Sequence, residues 1–281
     1  MRFLVKIIAG DCSVLQKIFG ALILFMLSTQ VLAHEFWLEP INFEIKVNEK
    51  LRAHEKVGQD FKGNKYAYLK SSYKSLELTM GEKTRATKSR LGDLPAVSEL
   101  LEEEGLAILS AVTTPSIVTY ETWEKFSNFI KDERLEWVFD VHEKKSLPEK
   151  NFSESYRRYG KSLVKVGHGK GNDRALGLLF EWVIETNPYT TDEKNIKAQL
   201  LWKGKPHVNA HVSVFNRIGD ELIKSYLTTD AQGKVEIPQA KGGKFLINAV
   251  QMLEAKEEMK KENGAVWDSR WASITYELKP K

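Results

Sequence analysis

The chain has 281 residues with 42 Lys and Arg against 38 Asp and Glu, so its formal charge at pH 7 is only +4. This near-neutral balance gives no support for nucleic-acid binding. The single cysteine is Cys12, which leaves the rest of the chain without disulfides, thiolate metal sites or thiol catalysis. The length and a hydrophobic content of 42% allow one large or two smaller domains with packed cores.

The first 33 residues have the features of a cleaved export signal. A basic segment precedes an apolar run at 18–27, and Ala33 ends a triplet whose small side chains signal peptidase accepts. The run is about half the roughly 20 apolar residues that a bilayer span requires. The sequence therefore predicts a signal peptide over 1–33, a periplasmic location, no membrane span after cleavage, and His34 as the first mature residue.

Two β-rich domains are predicted, over 34–185 and 186–281. In the first, apolar and polar residues alternate over 43–47, as in a half-buried strand. Apolar residues at three- and four-residue steps over 122–142 predict an amphipathic helix with a break near Asp132. This helical insertion is expected to cover the sheet of the N-terminal domain.

The second domain has short predicted strands separated by strong turn sequences. Strands are expected at 197–202 and 208–217 on either side of a Gly-Lys-Pro turn, and a further turn at 230–233. Strands at this spacing favour an immunoglobulin-like or transthyretin-like β-sandwich. The predicted fold is therefore mainly β, with an N-terminal β domain that carries a helical insertion and a C-terminal sandwich.

One segment imitates a nucleotide-binding loop. Gly160, Lys161 and Ser162 have the order that ends a phosphate loop, but Ser155 stands where its first glycine is required. The glycine-rich turn at 167–172 lacks the third glycine of a dinucleotide fingerprint, and no βαβ pattern surrounds it. We therefore expect no nucleotide site.

A mature N-terminus at His34 would place a free α-amine and an imidazole in one residue. The amine and Nδ1 can close a small chelate ring, and neutral imidazole suits copper, nickel and zinc. A tight site needs a further nitrogen ligand, for which His54, His207 and His211 are the candidates. If 208–215 is one strand, the latter two share its polar face about 13 Å apart, so at most one joins His34.

Seven short motifs follow one another in a specific order, at 34–40, 57–63, 155–163, 185–189, 204–206, 229–233 and 267–278. Their order resembles that of exported proteins with domain of unknown function 4198, often labelled nickel-uptake-related periplasmic proteins. The resemblance implies a β-rich periplasmic protein linked to transition-metal uptake. One departure is Gln251, at a position where members of that family often carry histidine.

The function predicted from these features is non-catalytic binding of nickel, cobalt or copper for uptake, with a membrane transporter as a further partner. The main alternative is a non-metal ligand-binding or protein-interaction module of the cell envelope, since exposed Trp and Tyr side chains suit a binding groove. A copper oxygenase built on His34 and a second histidine is less favoured, because no oxidisable substrate is indicated. Hydrolase motifs such as G-x-S-x-G and H-E-x-x-H are absent from the sequence.

Overall fold

The computed structural model describes residues 35–239 and 242–279; the predicted signal peptide and His34 lie outside the described residues. The helices are α1 (Trp123–Asp132), α2 (Trp137–Lys144) and α3 (Glu257–Asn263). The strands in chain order are β1 (Glu35–Pro40), β2 (Glu44–Ile45), β3 (Glu49–Gln59), β4 (Lys62–Tyr66), β5 (Tyr73–Met80), β6 (Lys83–Ala86), β7 (Val97–Leu101), β8 (Gly105–Thr113), β9 (Ser116–Tyr120), β10 (Phe152–Val166), β11 (Phe180–Ile184), β12 (Asn195–Trp202), β13 (Lys205–Pro206), β14 (His211–Ile218), β15 (Glu221–Thr228), β16 (Lys234–Pro238), β17 (Gly243–Glu254) and β18 (Ala265–Leu278).

The strands form three sheets. The central sheet has ten strands in the order β15-β14-β17-β18-β10-β8-β5-β6, with β2 and β9 also paired to β10. The N-terminal sheet contains β1, β3, β4 and β7, and the C-terminal sheet contains β11, β12, β13 and β16. Most pairs are antiparallel, but β10 pairs with both β18 and β2 in parallel.

The middle strands of the central sheet are buried on both faces, whereas its outer strands β6 and β15 are largely exposed. In β8, Leu106 and Ile108 pack with Trp182 of the C-terminal sheet, whereas Leu109 packs with Leu38 of the N-terminal sheet. Successive side chains of a strand point to opposite faces, so a central strand covered on both sides buries all of its side chains. This explains why every residue of β8 is buried.

The predicted mainly β fold with a helical insertion is confirmed. Strands from both sides of the predicted boundary at 185/186 pair within the central sheet, where Ser153 to Ser162 of β10 run beside Ala265 to Thr275 of β18. The described residues group into one compact unit. The immunoglobulin-like or transthyretin-like topology stays a prediction.

Helices α1 and α2 form the insertion, and the chain breaks between them after Asp132, as the sequence predicts. Phe126 of α1 packs against Tyr120 and Phe152, with ring centroids 5.0 Å from each. The helical stripe therefore contributes to a core of aromatic side chains. In the described ranges, no helix combines the length and apolar character needed to cross a bilayer.

His142 in α2 belongs to the same aromatic core. The indole nitrogen of Trp267 donates to its Nδ1 at 3.0 Å, so Nε2 carries the proton and donates to the carbonyl of Pro148 at 3.2 Å. Both ring nitrogens are thus used within the fold. His142 is a structural histidine.

Lys161 is a buried link between the central sheet and the C-terminal sheet. Its side chain is 1% exposed and lies 2.7 Å from Asp173 and 4.0 Å from Glu181, both equally buried. The ammonium also donates to the carbonyls of Arg174 and Trp182, at 3.0 and 2.9 Å. Such complete pairing offsets the cost of removing the charge from water. The lysine that imitates a phosphate loop in the sequence therefore holds the two sheets together.

Replacing Lys161 with methionine is expected to lower the free energy of unfolding by about 3–5 kcal/mol, because it leaves the carboxylates of Asp173 and Glu181 buried without their cation. Urea denaturation measures the change. The control is Lys83→Met, which removes an exposed ion pair with Glu103 and should alter stability by less than about 0.5 kcal/mol. Equal stabilities for the two variants would contradict the role assigned to Lys161.

Glu154 of β10 is a second buried charge-bearing group. Tyr120 donates its hydroxyl to one carboxyl oxygen at 2.8 Å, and Ser269 donates to the other. Burial raises the pKa of Glu154 to about 7, although these two hydrogen bonds lower it. The folded protein therefore binds a proton at Glu154 more tightly than the unfolded chain does.

A carboxyl with a raised pKa in the folded state contributes stability that is lost as pH rises from about 4.5 to about 7. The loss amounts to roughly 3 kcal/mol, because each pKa unit corresponds to about 1.4 kcal/mol. Glu154→Gln is expected to remove this part of the pH dependence. The stability of the variant relative to the wild type should therefore be higher at pH 8 than at pH 4. Urea denaturation at pH 4 and pH 8 measures the two free energies of unfolding, and Glu262→Gln, at an exposed position, is the control. The same change in unfolding free energy between the two pH values for wild type and Glu154→Gln would refute the prediction.

Candidate metal site at the start of strand β1

Strand β1 presents one face to strands β14 and β15 of the central sheet. Glu35, Trp37 and Glu39 alternate along β1 and so share this face. Arg217 of β14 binds Glu39 at 3.1 Å, and Phe215, two residues earlier in β14, packs in one cluster with Trp37. The two strands therefore run side by side in the same direction. The first residues of β14 therefore lie near the first residues of β1.

Carboxyl groups gather where β1 begins. Burial raises the pKa of Glu35 to about 7, and the charge of Asp60 raises it further, against the charge of Lys224. Glu133 is half-buried, and its pKa is raised by loss of solvation and by the charges of Glu35 and Asp132. The repulsion between Glu35 and Glu133 indicates that they lie near each other, and both carboxyls bind protons more tightly than ordinary glutamates do.

His211, the first residue of β14, lies in the same region. Its ring stacks on Tyr226, with centroids 5.3 Å apart. Burial lowers the pKa of His211, and the charge of Arg134 lowers it further. Since Arg134 follows Glu133 in the chain, one loop approaches both Glu35 and His211. The imidazole is neutral at pH 7, and neither ring nitrogen has a hydrogen-bond partner among the described residues.

A row of polar side chains continues from His211 across the central sheet. Ser213 of β14 lies opposite Asn248 of β17, which lies opposite Ser273 of β18. Neighbouring strands are about 5 Å apart and alternate residues about 7 Å. Asn248 is 1% exposed, and its two amide atoms and the Ser273 hydroxyl lack hydrogen-bond partners in the described ranges. Buried polar atoms are normally paired, so this region has spare donors and acceptors.

The structure separates His207 from His211. The sequence places both on one face of one strand, but β14 begins at His211 and His207 lies outside it. Asn209 adopts a left-handed conformation with φ of 55°, which interrupts the extended chain between them. The His207 ring packs against Phe180, with centroids 5.4 Å apart, on the side of the C-terminal sheet. The expected common polar face is therefore wrong.

Gln251, the residue at which the chain departs from the resembling proteins, lies beside His207. Its side chain hydrogen-bonds His207, which raises the pKa of the imidazole against the larger lowering by burial. Its amide nitrogen also donates to the carbonyl of Met252 at 2.9 Å. His207 thus has an amide neighbour where those proteins often have an imidazole.

The remaining histidines lie elsewhere. His54 of β3 pairs with Glu39 across the strands, four residues from Glu35, which corresponds to about 13 Å along β1. Its pKa is lowered by burial and then by the charges of Lys65 and Lys56. His168 accepts a hydrogen bond from the Lys170 amide at 2.9 Å. Of the three partners predicted for His34, only His211 lies at the start of β1.

Sequence reasoning did not select Glu35, Glu133, Asn248 or Tyr226. They come from distant parts of the chain and belong to no local motif, so no spacing could have identified them. Across 35–239 and 242–279, no three His, Cys, Asp or Glu side chains form a group able to hold a metal ion. His34 precedes the described part.

Comparison with known proteins places the chain in a family. No curated protein matches it, but a family model described as domain of unknown function (DUF4198) matches residues 31–252. The match includes β1, the helical insertion and the strands that carry His54 and His211. It covers well over half of the chain. The chain belongs to the DUF4198 family.

Proposed function

We propose that this protein binds a nickel, cobalt or copper ion at the start of β1. His34 supplies its α-amine and imidazole after signal cleavage, and His211 supplies a further nitrogen. The observation that carries the proposal is the position of His211, whose ring nitrogens have no partner in the described ranges and which lies where β1 begins. An ion held there would be cargo for uptake rather than a catalytic cofactor.

The chemistry of the surrounding groups supports this assignment. A metal ligand must be deprotonated, and the lowered pKa of His211 keeps its imidazole neutral at pH 7. Nitrogen donors suit nickel and copper. A cation bound nearby would favour the ionised forms of Glu35 and Glu133, whose pKa values are raised without it. Asn248 supplies an amide that can orient bound water. The proposal includes export to the periplasm and transfer to a membrane transporter.

A second candidate function is binding of a small charged molecule. A cavity of about 580 Å³ lies at the other end of the same β1 face. Its walls carry charges of both signs, from Arg217, Lys244 and Lys279 and from Glu44 and Glu277. A zwitterion would match this mixture, whereas a metal ion would meet mainly cationic side chains. The two candidate functions therefore use different residues and can be tested separately.

Protein beginning at His34 is expected to bind copper(II) or nickel(II) in calorimetric titration, with its N-terminus verified by mass. One extra glycine before His34 moves the amine away from the imidazole and should weaken binding at least about tenfold, or about 1.4 kcal/mol. His211→Gln should produce a loss of similar size, because each removes a nitrogen ligand. Urea denaturation of each variant establishes that it is folded.

His54→Gln and His207→Gln are the matched controls, since each removes an imidazole from another part of the fold. Both should bind as the unaltered protein does. Absence of binding by all forms would reject the metal function, and full binding by the extended form would reject His34 as anchor. Loss of metal binding in His207→Gln but not in His211→Gln would reject His211 as the second ligand and assign that role to His207 beside Gln251.

A further inference from the structure

An exposed turn carries three leucines on its surface. The segments 68–72 and 90–94 are joined by backbone hydrogen bonds from Tyr68 to Asp93 and from Gly92 to Tyr68, both 2.9 Å. Leu69 is 47% exposed, Leu91 77% and Leu94 57%. We call these two segments the leucine turn. Large apolar side chains grouped on a surface mark sites that meet another apolar phase.

The leucine turn is rigidly attached to the fold. Arg90 donates its amide to the carboxylate of Asp93 at 2.7 Å, and the Ser72 amide donates to the carbonyl of Leu69 at 2.9 Å. Behind the turn, Val97 is fully buried in the core of the N-terminal sheet. The leucines therefore lie at the surface on short hydrogen-bonded loops.

The two stretches of sequence that carry the leucines are strongly basic. Across 62–74 and 87–95 the only acidic residue is Asp93, which pairs with Arg90 at 3.7 Å. The same two ranges contain six basic residues, Lys62, Lys65, Lys70, Lys74, Lys88 and Arg90, all of them exposed. This local excess contrasts with the nearly balanced charge of the whole chain.

We infer that the leucine turn docks on the surface of an anionic phospholipid bilayer. Leucines at the tip enter the boundary between headgroups and acyl chains, while Lys70 and Lys88 remain among the phosphates. Either feature alone gives marginal attachment, and stable attachment needs two signals of this kind. A nucleic acid would use the cations but would leave the leucines in water, so charge and apolar surface together favour a bilayer. This inference does not depend on the metal site.

The test uses the full mature chain, residues 34–281, and flotation with vesicles. We expect binding to phosphatidylcholine vesicles containing roughly 30% phosphatidylglycerol, and binding at least about tenfold weaker to phosphatidylcholine alone. The triple variant Leu69→Ser, Leu91→Ser, Leu94→Ser should lose binding at least about tenfold. Added salt should weaken binding by the unaltered protein, because it screens exposed charges.

The matched control replaces three other exposed apolar residues, Leu100→Ser, Ile117→Ser and Val208→Ser, and should bind as the unaltered protein does. Leu91→Ser alone, at the most exposed position, replaces the triple variant if the latter fails to fold. Unchanged binding by both leucine variants would overturn the inference, as would equal binding to both vesicle types. Binding to a labelled DNA duplex without binding to vesicles would also overturn it and would assign the cations to a polyanion.

Discussion

Glu39 receives cations from three strands, namely Lys56 of β3 at 2.9 Å, Arg217 of β14 at 3.1 Å and Lys244 of β17 at 3.8 Å. The indole of Trp37 donates to the same carboxylate at 2.8 Å. Burial raises the pKa of Glu39, but these hydrogen bonds and charges outweigh it and the net pKa is lowered. A buried carboxylate is stable only where its partners are in place. This cluster therefore fixes β1, including Glu35 at its first residue, against the central sheet.

The buried ionisable groups Glu39, Lys161 and Glu154 have ionic or hydrogen-bond partners. The polar groups near the start of β1 differ in this respect. Unpartnered buried atoms occur elsewhere, such as the Trp182 indole nitrogen and the Tyr276 hydroxyl, but these two belong to the apolar cluster between the central and C-terminal sheets. Around His211, Asn248 and Ser273, in contrast, such atoms share one face of three adjacent strands. A polar region of this kind can hold water or a hydrated ion, whereas an apolar cavity stays dry.

Local sequence patterns were sufficient to predict those helices and strands that depend on interactions between residues close in the chain. The strand over 197–202 was predicted beside the turn sequence at 204–206, and helical spacing predicted α1, α2 and the break near Asp132. The parallel pairing of β10 with β18 joins residues more than a hundred positions apart, and no pattern in either strand specifies the partner. Lys161 shows the same limit. Its position after Gly160 resembles that of a phosphate-binding lysine. Only the fold shows that Asp173 and Glu181 pair with its ammonium group and that its role is structural.

The candidate site could be predicted in part for the same reason. The cleavage pattern predicts His34 as the first mature residue, but choosing among His54, His207 and His211 requires knowing which strand lies beside the start of β1. The fold also relates this site to the leucine turn. That turn lies between β4 and β7, both strands pair with β3, and β3 pairs with β1. Since one sheet carries both features, a molecule docked through its leucines would hold the start of β1 at a constant position relative to the bilayer. The proposed transporter would then meet the proposed ion site in one orientation, although either feature can fail without the other.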